Sequence, residues 1–493
     1  MNAIDRRTFL ATGAAALIAG CGEGRATTSR AGGRRATVAK RLPKKLSDAI
    51  RGPVIYRGQP GFSAAAHVYN ERFDYLSPSA VARPLSSSDV SGAISWCVAN
   101  GVPIRARSGG HSYAGYSTLK NGVVLDLRNI HGISVDKSAG TAQIGAGAQL
   151  IDVYTALAAQ GATIPAGSCP SVGIGGHALG GGMGLAGRNF GLACDHIVGA
   201  RIVTADGRVH DIDQHSDPDL LWALRGGGGG NFGVVTRLTM KLQKLPSSAA
   251  YFFVDWPWSS AAAAIEAWQS WAPHSTGKLT SILHINSGPS ITMDGQYFGP
   301  ASALASLLAP VLSVPGARLS GSGNLSYLRL MLLWAGCAHD SVVQCHTAGT
   351  RTGGILPRMS FTAKSDYVST PVPAAGRAAM VAAAESSVGS GALLFDCYGG
   401  AINRVAPSAT AFVHRDDLFC IQYYGNGPSS AWVDQAWTRM RPYVSGMAYQ
   451  NYIDPAQPHW QQAYYGANYA RLESIRKTVD PHHLFNFPQA IGR

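Results

Sequence analysis

The chain has 493 residues, too many for one ordinary core, which predicts two packed domains of roughly 200 residues each. Hydrophobic residues make up 46% and charged residues 14%, a balance that describes a globular body and excludes a disordered chain. The formal charge is +13, but residues 1–51 alone carry eleven Lys and Arg against three acids. The body is therefore only mildly basic. It shows no basic stripe interleaved with aromatics, so nucleic acid is excluded as a partner.

The first residues read as an address. Asp5-Arg6-Arg7-Thr8-Phe9-Leu10 is a twin-arginine start, and Leu10–Ala19 is too short to span a bilayer but fits a signal core. Leu17-Ile18-Ala19-Gly20-Cys21 resembles a bacterial lipobox, in which the cysteine is lipidated. The alternative is a plain cleaved signal with Cys21 incidental. Residues 1–21 are thus expected to be a signal and 22–50 a flexible basic tether. The protein is expected outside the cytoplasm, secreted or anchored to a membrane through Cys21. Export by this route carries folded proteins, often with cofactor in place.

From residue 51 to 246 strands alternate with helices. Ser88-Asp89 can cap a helix with Val90, Ile94, Cys97 and Val98 on one face, stopped by Gly101. Val102–Ala106, Gly122–Leu127 and Thr141–Ile144 read as strands, and Leu150, Val153 and Leu157 as a helix ending before Gly161. Ile197–Thr204 is a strand closed by an Asp206-Gly207 hairpin turn. Gly233–Leu242 alternates as a strand does. Residues 247–447 have aromatic strands (Tyr251–Trp256, Leu418–Tyr424) and alanine-rich helices (Ser260–Trp271, Ala374–Ser386), predicting an α+β domain around one sheet. From Ala448 to the end, a Tyr-rich strand is expected to lead into a helix with Leu472, Ile475 and Val479 in phase, stopped by Pro481.

Three stretches carry chemistry. In Arg105-Ala-Arg107-Ser108-Gly109-Gly110-His111-Ser112-Tyr113 a glycine pair after a strand can turn backbone N–H groups toward an anion such as a pyrophosphate. Pro165-Ala-Gly167-Ser-Cys169-Pro-Ser-Val172-Gly173-Ile-Gly175-Gly176-His177-Ala-Leu-Gly180-Gly181-Gly182-Met-Gly184 holds too many glycines for a stable helix or strand interior, and suits backbone lying flush against a flat ligand. Cys169 at its head is polar-flanked and can be an activated thiol; otherwise it is a small packed hydrophobe. Gly173-Ile-Gly175-Gly-His-Ala178 fits a loose dinucleotide pattern, but Pro165 and Pro170 spoil the required strand, so a Rossmann site is rejected. The third stretch, Leu221 to Thr236 with its run of five glycines, lacks the Lys-Ser/Thr ending of a P-loop.

In this order the three stretches resemble the berberine bridge enzyme-like oxidases of the vanillyl-alcohol oxidase and p-cresol methylhydroxylase flavoprotein superfamily. The resemblance covers residues 75–245 and 448–490. It implies a fold of class α+β: a two-subdomain FAD-binding domain (51–246), a substrate domain (247–447) with one antiparallel sheet flanked by helices, and a C-terminal segment (448–493) returning to the FAD domain. It implies FAD bonded twice, through His111 to the 8α-methyl and through Cys169 to C6. Arg107, Ser108, Gly109, Gly110, Ser112, Tyr113, Gly173, Gly175, Gly176, Gly180, Gly181 and Gly182 would cradle it, with Val235 closing the domain and Tyr465, Asn468 and Gln489 contributing from the tail. Tyr452 matches the tyrosine that lies over the flavin and acts as base. A tyrosine titrates near 10 when unperturbed, so this role asks the site to ionise it partly.

The expected reaction is oxidation of an alcohol carbon in a small molecule, a sugar or a secondary metabolite, with dioxygen taking the electrons and giving hydrogen peroxide. A dehydrogenase of the same fold and a solute-binding lipoprotein are the competing readings. No metal-ligand set is indicated. The substrate, the oligomeric state and the pairing of Cys97, Cys194, Cys337, Cys345, Cys397 and Cys420 are open, although Cys337 and Cys345 are near enough in sequence to pair.

Overall fold

The structure is a computed structural model and describes residues 45–493. The twin-arginine motif, the lipobox-like Cys21 and most of the expected tether lie outside the described residues. The folded body starts earlier than residue 51. Leu46 and Ile50 stand four apart around a short turn at Leu46–Asp48 and are both buried in the main core, so 45–50 is packed chain and not tether. Among the described residues no helix is long and apolar enough to cross a membrane.

The N-terminal half builds two small sheets and a two-stranded pairing of Ala162–Thr163 with Gln243–Lys244. The first has the order Val54–Tyr56, Ala80–Ala82, Val123–Asp126, Ile104–Arg107; its last three strands run parallel. The helix Ser87–Asn100 supplies the crossover. Its cap is Ser86, whose hydroxyl accepts from Asp89 N, and Gly101 ends it at φ 63°. Asp89 is inside the first turn instead, where its carboxylate accepts the backbone N–H groups of Leu85, Arg51 and Gly52. The second sheet is antiparallel, in the order Ile133–Asp136, Thr141–Gly145, Val234–Lys241, Ile197–Val203, Val209–Asp213. Its last two strands form the expected hairpin, with Gly207 at φ 78°.

Residues 249–426 build one seven-stranded antiparallel sheet. Alternation sets its two faces. Leu283, Ile285, Leu393, Phe395, Ile421 and Tyr423 pack under the helices Ala261–Trp271, Ala374–Ala384 and Ala431–Met440. The opposite face looks back at the N-terminal half. Cys337 and Cys345 form a disulfide, and both are buried.

Two expectations fail locally. Ile174–Leu179 is a short helix despite its glycines. The glycines serve close packing there: a Cβ on Gly173 would fall 1.9 Å from Ser108 Oγ, and one on Gly175 2.8 Å from Ala146 O. The Tyr-rich stretch after Ala448 is not a strand. Its backbone turns at Gln450–Tyr452, with Tyr449 N bonded to Ser365 Oγ and Ala448 N to Ala463 O, and so inserts between the halves as a wedge. The helix Tyr469–Val479 follows, with Leu472 and Ile475 buried.

Candidate active site

The wedge, the two N-terminal sheets and the open face of the large sheet enclose a cavity of about 700 Å³. His111 and Cys169, 58 positions apart in the chain, both line it. The loop after Ile104–Arg107 reaches the wall because Gly110 turns at φ 76° and its carbonyl accepts from Tyr69 N. His111 stacks on Tyr69 with ring centroids 4.0 Å apart, and its Nε2 lies 3.0 Å from Ser171 Oγ. Burial lowers the imidazole to about 3, so it is neutral and nucleophilic at physiological pH. The Cys169 loop is held from below by Leu150 N to Val172 O and Ile151 N to Pro170 O, and from the side by Gly167 N to His177 Nε2 at 2.8 Å. Cys169 is exposed and outside any disulfide.

Of the residues the sequence pointed to, Ser108, Gly109, Gly110, Ser112, Tyr113, Gly173, Gly175, Gly176, Val235, Tyr452, Tyr465 and Gln489 also line the cavity. Five residues do not reach it. Arg107 is buried behind the wall with its guanidinium donating to the carbonyls of Ala65, Ala66, His67 and Ser117. Gly180, Gly181 and Gly182 lie under the wedge, where a Cβ would fall 2.0 Å from Asn451 Oδ1, 2.8 Å from the Phe412 ring and 2.5 Å from Ala193 Cβ. Asn468 donates to the carbonyls of Pro407 and Thr410 and fixes that loop instead.

The cavity suits a flat, partly anionic dinucleotide. Gly176 lines it with nothing within 4 Å of where a Cβ would stand, so this backbone is bare toward the open space. Gly229 approaches from the facing loop. Ser117 Oγ, in the same wall, is buried and bonded to no described residue. His111, Cys169 and the glycine backbones fit FAD at this place.

Sequence reading missed one acid. Tyr452 donates its hydroxyl to Asp396 Oδ2 at 2.9 Å, and Asp396 projects into the cavity from the strand Gly391–Cys397. Tyr452 also stacks on Tyr113, centroids 5.4 Å apart. Burial first, and Asp396 second, raise the phenol well above its ordinary value. The surrounding protein by itself therefore disfavours a standing tyrosinate. Tyr449 and Gln450 fix the wedge: Tyr449 Oη accepts from Gly182 N and Met183 N, and Gln450 Oε1 accepts from Tyr465 Oη. Lys364 Nζ pairs with Asp454 Oδ2 at 2.6 Å behind it.

A cradle for FAD with an acid–phenol pair in its wall defines a flavin-dependent oxidoreductase. Comparison with known proteins agrees. Residues 78–213 match the FAD binding domain family and 448–492 the berberine and berberine-like family. The FAD-linked oxidoreductase YvdP of Bacillus subtilis is 32% identical over 456 residues, covering 90% of this chain and 99% of that protein. Chitooligosaccharide oxidase of Gibberella zeae is 30% identical over 473 residues, covering 89% and 92%. The solved structure of BBE-like 1 of Physcomitrella patens superposes with a TM-score of 0.84 at 32% identity, covering 91% of this chain and 99% of that one. The chain belongs to the berberine bridge enzyme-like family of FAD-linked oxidoreductases.

Proposed function

We propose that the protein is an exported oxidase that holds FAD through both His111 and Cys169 and oxidises an alcohol carbon of a carbohydrate, with dioxygen as electron acceptor and hydrogen peroxide as product. The observation that carries this reading is the Tyr452–Asp396 pair in the same cavity wall as His111 and Cys169. The kinship with a chitooligosaccharide oxidase supports the substrate class. His111 meets Ser171 through Nε2, which leaves Nδ1 as the nitrogen for the flavin link.

FAD, when bound, accepts a hydride from the alcohol carbon and passes two electrons to dioxygen. The protein's part is the proton. The substrate hydroxyl gives its proton to Tyr452 Oη as the phenolic proton passes to Asp396 Oδ2, so no free tyrosinate has to be stored. The stacked Tyr113 holds the phenol in line, and its own hydroxyl accepts from Gln422 Nε2 at 2.8 Å.

The test has two readouts. Purified protein is yellow and releases peroxide in air with one of a panel of sugars; reduction of the flavin without peroxide makes it a dehydrogenase, and a colourless protein makes it a binding module. For location, Arg6→Lys with Arg7→Lys traps the protein in the cytoplasm. Recovery of the parent protein wholly in the medium makes Cys21 incidental, because a lipidated Cys21 would hold it to membranes.

A further inference from the structure

His111 is set between two residues that the proton relay does not use. Tyr69 covers one face of the imidazole, with ring centroids 4.0 Å apart and planes 19° off parallel. Ser171 meets its edge, with Oγ 3.0 Å from Nε2. Both neighbours are built in. Tyr69 belongs to residues 68–74, which are pinned by chain some 290 positions later: Asn70 Nδ2 donates to Phe361 O at 2.9 Å and Arg358 Nε to Val68 O at 2.8 Å. Glu71 N donates to Met359 O between them, and Asn70 is buried. Ser171 is buried as well, two positions after Cys169, in the loop whose carbonyls accept from Leu150 N and Ile151 N.

A neutral imidazole carries one proton, and only its other nitrogen has a lone pair to give. With the proton on Nε2 the Ser171 hydroxyl accepts it, and Nδ1 is free to form a bond. With the proton on Nδ1 the hydroxyl donates, and Nδ1 has nothing to offer. The Ser171 main chain meets the ring too and favours its protonated form, as an oxygen that can only accept does. The proton therefore belongs on the side of the ring that faces Ser171. A bond at Nδ1 makes the ring cationic before that proton leaves. Burial opposes this charge, since it holds the free imidazole down to about 3. Among the described residues no carboxylate bonds the ring to offset that cost. Two weaker contacts do. A hydrogen bond strengthens when its donor becomes charged, and a cation within about 6 Å of a tyrosine face is drawn to it.

We infer that Ser171 and Tyr69 make His111 a nucleophile toward the flavin: the Ser171 hydroxyl keeps the proton on Nε2 and the lone pair on Nδ1, and the Tyr69 ring steadies the positive charge that the imidazole gains as the bond forms. Both are positioning residues that act through His111, and the inference rests on the His111 link proposed above. The bond forms between Nδ1 and the 8α carbon, and one C–H bond of that carbon breaks. The hydrogen leaves as a proton, and its electron pair goes to the flavin ring. The cationic imidazole then gives up its Nε2 proton. Dioxygen, the acceptor of the proposed reaction, takes the two electrons with two protons and leaves as hydrogen peroxide. Because Ser171 rides on the Cys169 loop, that loop must be seated before His111 can react.

The experiment follows attachment and not turnover, in full-length protein carrying Cys169→Ala so that His111 holds the one remaining link. Protein made in a short pulse of expression is chased in air, quenched in acid at intervals and weighed as the intact chain; the added mass of one FAD marks the bond. A native sample, gel-filtered in parallel, reads FAD bound with or without a bond. Adding Ser171→Ala should slow appearance of the bond by about 10–100-fold, the worth of a hydrogen bond to a charge, while native flavin content holds. Ser171→Thr should restore the rate. Tyr69→Leu should slow it by about tenfold and Tyr69→Phe should not; this pair carries the test should Ser171→Ala fail to fold. Attachment at the unslowed rate in Ser171→Ala or in Tyr69→Leu removes that residue from the role, and in both overturns the inference. Loss of native flavin in step with the bond also overturns it, because the residues then serve binding and not attachment. If the Cys169→Ala protein binds FAD but never bonds it, the His111 link itself is wrong and the inference falls with it.

Discussion

The proton relay can be tested by removing each of its members and then both. Tyr452→Phe takes away the oxygen that receives the substrate proton. Asp396→Asn keeps the shape but removes the carboxylate that, in the proposed relay, takes the phenolic proton across 2.9 Å. A positioned acid or base contributes about 10²–10⁴-fold to a rate, which is about 2.7–5.5 kcal/mol of activation free energy. Each single variant should therefore slow flavin reduction by about 10²–10⁴-fold with a far smaller change in substrate affinity. The pair acts as one unit, so the double variant should be no slower than the slower single one. Two independent contributions would instead multiply, to about 10⁴–10⁸-fold. Anaerobic stopped-flow at saturating substrate reads the reduction step alone, free of the reoxidation by dioxygen. Multiplicative losses in the double variant refute the relay. An Asp396→Asn variant that reduces at the parent rate removes the carboxylate from the chemistry, and a fast Tyr452→Phe removes the phenol.

Other consequences are separable. Denatured, acid-precipitated protein should stay yellow; His111→Ala and Cys169→Ala should each retain covalent flavin with slower reduction, and only the double variant should release it. If denatured parent protein gives up FAD, the double link is wrong. Gly176→Val should fold and melt normally yet purify with a low flavin-to-protein absorbance ratio, because its side chain occupies the open space of the cavity. Gly173→Ala should instead lower stability by about 1–3 kcal/mol, because its Cβ meets Ser108 Oγ at 1.9 Å; equal flavin contents and melts for the two would refute the distinction. Replacing Cys337 and Cys345 together by alanine should remove about 2–3 kcal/mol for a loop of this length, seen as a fall of a few degrees in Tm.

The parts of this fold legible in sequence are those fixed by neighbours in the chain. The helix Ser87–Asn100 announces itself through its apolar face and its glycine stop, and is misread only at the cap, where Ser86, Ser87, Ser88 and Asp89 compete and Asp89 is taken by the N–H groups of Arg51 and Gly52. His111 and Cys169 are legible because one follows a glycine pair and the other heads a glycine run, compositions with no other easy explanation. The glycines themselves are not equivalent, and no local feature tells them apart. Gly176 is bare toward the open cavity; Gly180 is bare because Asn451, some 270 positions later, needs the space. The resemblance puts Arg107 in the FAD cradle beside its glycine pair. Its donors are consumed by four carbonyls, two of them from a helix far upstream.

Asp396 shows why an active site can hide in plain sequence. It stands in Leu393-Leu394-Phe395-Asp396-Cys397, a buried strand in which an acid would ordinarily signal a structural ion pair. Only the sheet's pleat turns it from the helix-covered face to the cavity, and only the wedge, arriving from residue 452, brings a phenol to it. The same holds for Asn286, which lines the cavity while Leu283 and Ile285 of the same strand face the core. The cofactor cradle is local in sequence because a flat ligand needs continuous bare backbone. The Tyr452–Asp396 pair is not, because two segments far apart in the chain must meet to form it. Residues that line the cavity from the glycine loops are for this reason readable from motif, whereas those that line it from the large sheet are readable only once the sheet is assembled.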